Sequence, residues 1–129
     1  MKNTIILTTA ILVAFLFFSS CSKEGLGGEA TIAAFPKHHE KPIPNTTIYI
    51  KYGAKDFPGT DVSVYDDAKI AEAEAGEDPH AHFENLKKGD YYLYGVGFDS
   101  SINQVVTGGI PVEIKEKSGE TDIVVPVTE

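Results

Sequence analysis

The side chains best suited to chemistry in this chain are its four histidines, which fall in two pairs, His38-His39 and His80-Ala81-His82. Alternate residues of a β-strand project from one face. His80 and His82 could therefore offer two imidazoles to one Zn²⁺ or Cu²⁺ ion, with His38 or His39 as a third ligand if the first loop folds near that strand. A structural zinc site usually takes four defined ligands, and no cysteine is at hand to complete one. The plainer reading makes His38 and His39 solvated loop residues and sets His80 and His82 on an outer face, opposite Phe83. Asp56, Asp61, Asp66 and Asp67 cluster around Phe57-Pro58-Gly59, but the D-x-D-x-D-G spacing of a calcium loop is missing, which favours a solvated acidic face. Neither a G-x-S-x-G elbow nor an H-E-x-x-H pair occurs. The expectation is a protein without catalytic activity.

A second kind of chemistry is a contact surface. Tyr92, Tyr94, Val96 and Phe98 alternate with Tyr91 and Leu93 along one strand. If only the latter pair faces the core, the former make an aromatic stripe that could meet a protein or glycan partner; covering by long loops is the equal alternative.

The only cysteine, Cys21, closes a segment with the three-part order of an export signal: Lys2, an apolar run from Ile5 to Phe18, then Ser19 and Ser20. The run is short of the roughly 20 apolar residues of a spanning helix. Phe18-Ser19-Ser20-Cys21 resembles the lipobox of bacterial lipoproteins, with Phe18 where an aliphatic residue is usual. The resemblance implies a signal peptide over residues 1–20, acyl chains such as palmitate on Cys21, and a membrane-held cell-envelope protein. Each buried methylene contributes about 0.8 kcal/mol, and two or more chains hold a protein stably where one does not. Residues 21–28, Ser22-Lys23-Glu24-Gly25-Leu26-Gly27-Gly28 after the cysteine, suit a flexible tether. Ser22 in place of Asp resembles the sorting pattern for the outer membrane.

Without its first 20 residues the chain has 109, enough for one domain, here 29–129. Ten lysines then face 19 acidic residues with no arginine, a charge of −9. That balance argues against nucleic acid as a partner and leaves adhesion to anionic lipid to the acyl chains. One cysteine allows no internal disulfide, so a core must suffice.

Short runs of period-two alternation between turn signals predict an all-β fold. Strands are expected over Glu29–Phe35, Thr46–Tyr52, Asp61–Tyr65, Ala68–Ala75, His80–Leu86, Tyr91–Phe98, Ile102–Thr107, Ile110–Lys115 and Thr121–Val127, with Gly108-Gly109 as one break. The core is expected from Ile32, Ile48, Ile50, Phe83, Leu86, Tyr91, Leu93, Val112, Ile114, Ile123 and Val125. Such a series of short strands, roughly seven or eight once adjoining segments are merged, suits a two-layer antiparallel β-sandwich.

Phe83-Glu84-Asn85-Leu86-Lys87-Lys88-Gly89-Asp90-Tyr91-Tyr92-Leu93 resembles the F-x-x-L-x-x-G-x-Y-x-L hairpin of transthyretin-like sandwiches, among them carboxypeptidase regulatory-like domains. Lys41-Pro42-Ile43-Pro44-Asn45-Thr46-Thr47-Ile48-Tyr49-Ile50 resembles the approach to that family's second strand. The resemblance implies a transthyretin-like fold and is nearly silent about activity. The leading expectation is a lipid-anchored binding or structural module; the other is a divalent-metal lipoprotein using His38, His39, His80 and His82.

Overall fold

Alternating side chains commit each short segment to a buried and an exposed face, and the chain answers with two β-sheets packed on each other. The structure is a computed structural model in which residues 23–129 are described. The expected signal segment and Cys21 lie outside the described residues. In the first sheet, β1 (Leu26–His38) is central. It pairs antiparallel with β2 (Lys41–Pro42) and β5 (Ala81–Leu86), and parallel with β8 (Ser118–Pro126). The second sheet is antiparallel throughout, in the order β4 (Asp67–Ile70), β3 (Thr47–Tyr52), β6 (Gly89–Asp99), β7 (Gln104–Ile114). The expected all-β sandwich is thus the fold, with eight strands and one parallel pairing in an otherwise antiparallel arrangement.

Between the sheets, Ile32, Phe83, Leu86 and Val125 meet Ile48, Ile50, Tyr91, Leu93, Val112 and Ile114. Each such side chain withdrawn from water contributes about 1.5–3 kcal/mol. Of the expected core residues only Ile123 stays partly exposed. The β5–β6 hairpin closes one end as its sequence suggests, with Phe83 and Leu86 buried, Gly89 at φ +134° and Tyr91 and Leu93 turned inward.

Five sequence expectations need correction. Residues 26–28, assigned to the tether, belong to β1. Leu26 and Ala30 both lie opposite Leu86, so the residues between them bulge, and a Cβ on Gly28 would stand 2.0 Å from the Leu86 carbonyl oxygen. That approach requires glycine. The strand also continues past Pro36 to His38, because the Pro36 carbonyl still accepts from the Ile43 N–H at 3.1 Å. Asp61–Tyr65 is a 3₁₀ turn over Val62–Val64: Asp61 caps it by accepting from the Ser63 N–H, and β4 already occupies the adjacent sheet edge. Ala68–Ala75 is strand only to Ile70, followed by a single bridge from Glu72 to His80. Gly108-Gly109 is no break. A Cβ on Gly108 would stand 2.3 Å from the Pro126 carbonyl oxygen, so the bare backbone lets the segment after β8 reach β7, where Thr107 and Thr128 bond to each other.

The strand directions give the sandwich two poles. The start of β1, the β5–β6 and β7–β8 turns and the loop after β3 gather at one, called here the near pole. The β1–β2 turn, the β6–β7 turn and the segment after β8 gather at the other, the far pole.

Candidate functional site

At the far pole β1 ends in His38, and a two-residue turn, His39-Glu40, returns the chain to Lys41. Both turn residues are left-handed, with φ of 45° and 65°, as a type I′ hairpin turn demands. Neighbouring side chains on a strand point to opposite faces. The left-handed backbone at His39 instead brings its ring against His38, with centroids 4.3 Å apart.

His38 is 4% exposed and Asp99, at the end of β6, is 3% exposed. His38 Nδ1 lies 2.9 Å from Asp99 Oδ2. A carboxylate only accepts, so Nδ1 carries the proton. The other Asp99 oxygen accepts from the Ser101 N–H at 2.9 Å, the Ser101 hydroxyl at 2.6 Å and Lys41 Nζ at 3.3 Å. With His38 and then Ser101 donating to it, the Asp99 carboxyl is held far below the usual carboxylate range. The Asp99 bond in turn raises the His38 imidazole above its ordinary value, against the opposing effect of burial. On the other side of the ring Glu129 Oε2 sits 2.6 Å from the buried His38 Nε2, and this second carboxylate also raises the imidazole. His38, His39 and Glu129 bring their ligand atoms within 4.8 Å of one another.

The second histidine pair sits elsewhere. His80 and His82 do share a face, their rings edge-on at 4.7 Å, on the outer side of the first sheet. His80 stacks on Phe35 at 5.0 Å, and its Nδ1 lies 2.8 Å from the Asp78 carbonyl oxygen. His82 Nε2 lies 3.3 Å from Glu120. The two pairs do not join in one ligand group among the described residues. Nor is His38 the solvated loop residue of the plainer reading.

The tyrosine stripe is covered. The loop after β3 folds back over the second sheet, so that Phe57 packs on Tyr92 and Tyr94 at 5.8 and 5.3 Å and Tyr65 stacks on Tyr94 at 5.7 Å. Tyr92 and Tyr94 are consequently buried, which corrects the open surface expected of them. Of the aromatic residues of the stripe only Phe98 remains exposed, beside its cross-strand neighbour Val105 and near Ile102 of the β6–β7 turn. Three of the four acidic residues are spent on backbone amides: Asp61 on Ser63, Asp66 on Tyr52 at 2.7 Å and Asp67 on Ala68 at 2.8 Å.

Sequence reasoning missed Asp99 and Glu129. Asp99-Ser100-Ser101 carried a local signal, an Asp able to accept from the amide two residues on. Nothing local tied Glu129 to His38, because that contact depends on β8 lying parallel to β1. Comparison with protein-family models, with curated proteins and with solved structures finds no match to this chain.

Proposed function

We propose that this protein is a lipid-anchored module of the bacterial cell envelope, without catalytic activity, acylated on Cys21 and held near pole down on a membrane, in our reading the outer one. Its transthyretin-like sandwich would serve as a binding or structural unit whose far pole, with exposed Phe98, is turned toward a protein or glycan partner. The observation that carries this reading is the charge of the near pole. Of the ten lysines after Cys21, six lie there: Lys23, Lys55, Lys87, Lys88, Lys115 and Lys117. They are set among seven carboxylates, Glu24, Glu29, Asp56, Asp66, Asp90, Glu113 and Glu116, which leaves that pole nearly neutral, while the rest of the domain has four lysines against twelve.

A net charge of −9 therefore does not repel an anionic surface equally from every side. The near pole can approach phospholipid headgroups, and everything beyond it is pushed away. Screening confines the effect to about 8 Å at physiological salt, so it orients a protein already anchored and does not by itself hold one. Chain length supports the same reading. Gly25 is buried and its N–H donates to the Tyr91 hydroxyl at 2.9 Å, while that hydroxyl donates to the Lys87 carbonyl at 2.6 Å. Cys21 lies four residues before this lock, a reach of roughly 14 Å at about 3.6 Å per residue.

The test is intact-mass spectrometry of protein extracted from membranes of the producing cell. The expected product begins at Cys21 and carries acyl chains, and a Cys21→Ser variant leaves the membrane fraction. An unmodified thiol at Cys21 would overturn the proposal.

A further inference from the structure

We infer that His38 Nε2, His39 and Glu129 form a binding site for a borderline divalent transition-metal ion such as Zn²⁺, with Asp99 as the outer carboxylate that orients His38. Metal-bound histidines generally donate their second ring N–H to a carboxylate or carbonyl, which fixes the tautomer and aims the free nitrogen at the ion. Asp99 does this for His38 at 2.9 Å and is itself fixed by Ser101 and Lys41. What remains at the other side of the ring is Nε2, buried and turned toward His39 and the Glu129 carboxylate, whose Oε2 lies 2.6 Å from it. Zinc bonds to nitrogen and oxygen span about 2.0–2.2 Å. His39 and Glu129 are both exposed and therefore free to settle around an ion next to Nε2, with water completing its coordination. Two imidazoles and one carboxylate select zinc, copper or nickel over calcium and magnesium, which prefer oxygen alone.

The turn supports the assignment from a separate direction. Asn-Gly is the sequence that meets a type I′ turn at least cost, and left-handed backbone is disfavoured at residues bearing a Cβ. This chain has His-Glu there, and the strained backbone is what swings His39 alongside His38. The site differs from one built on His80 and His82, whose ring nitrogens lie against Asp78, Glu77 and Glu120.

The experiment is calorimetric titration with Zn²⁺ of the full chain carrying Cys21→Ser, so that no thiol competes. One saturable equivalent is expected, lost in His38→Ala and unchanged in a His80→Ala/His82→Ala variant. Asp99→Asn should weaken binding by about 10–100-fold, the usual effect of losing an outer partner. Because His38→Ala removes a buried side chain and can unfold the far pole, the deciding variant is His39→Asn/Glu40→Gly. It relieves the turn, so its metal-free melting temperature should equal or exceed that of the parent while its Zn²⁺ affinity falls at least tenfold. Absence of saturable binding in the parent, or full affinity in His39→Asn/Glu40→Gly, overturns the inference. So does affinity that depends on His80 and His82.

Discussion

Tyrosine hydroxyls in this domain answer to what lies over them. Tyr65 rests on Tyr94 beneath its own loop, and burial, followed by the neighbouring Tyr94 and Tyr92, pushes its phenol from 10.0 up to about 12. A raised folded value means that the neutral phenol is the form the fold favours. Its contribution to stability is complete below pH 10, the value in the unfolded chain, and is lost as pH climbs through about 12. Following phenolate absorbance against pH should show a component near pH 12 that Tyr65→Phe removes; a titration complete by pH 11 would contradict the packing of Tyr65 on Tyr94. At this scale the sequence was readable where a residue acts through its neighbours in the chain. His39 stood out as a candidate ligand from residue type alone. Asp99, 61 positions from His38, did not, because what makes it special is the end of another strand. Tyr92 and Tyr94 stayed undecided between an open stripe and a covered one for the same reason: alternation says which face a side chain takes, not whether a loop returns to cover it.

Among the elements, β1 departs furthest from its expected form. Its glycines read as linker because a composition of Gly, Ser and Lys is that of a flexible chain. In the fold they serve close approach instead, Gly28 lying against the Leu86 carbonyl. Gly28→Ala should therefore lower stability by about 1–3 kcal/mol, the usual cost of forcing a methyl into occupied space. Denaturant unfolding measures it, and parent-like stability would return residues 26–28 to the tether. Strands with strict alternation, β3 and β6 above all, were legible almost to their ends, since one buried face fixes their register. The Asp61–Tyr65 segment alternated too, yet β4 already fills the edge of β3, and an Asp cap made a local turn the better use of its backbone. Gly108-Gly109 looked like punctuation, whereas its lack of side chains serves the passage of another segment.

Over the whole molecule, charge is unevenly distributed: six of the ten lysines after Cys21 gather at the near pole, where they nearly balance the carboxylates, and the excess of negative charge lies beyond it. If that distribution orients an anchored domain, water-soluble amine reagents should modify Lys88, Lys115 and Lys117 more slowly on vesicles rich in anionic lipid than in neutral ones. Lys69, on β4 away from that pole, should label equally in both, and high salt should erase the difference. Peptide mapping reads the outcome, and equal rates for all four lysines would remove the orienting role. Total composition gave the sign of the charge correctly and hid its arrangement, which depends on turns distant in sequence converging at one end.

The side-by-side course of β1 and β8 bears on when the domain can be completed. Glu29 aligns with Ser118 and Lys37 with Pro126, so the earliest strand waits for the latest before its second edge is filled. Contacts between such remote segments make assembly slow. A nascent chain that has not yet released its final strand cannot close the sandwich, which keeps it threadable. That delay suits a polypeptide whose proposed destination requires passing through a translocation pore before it takes shape.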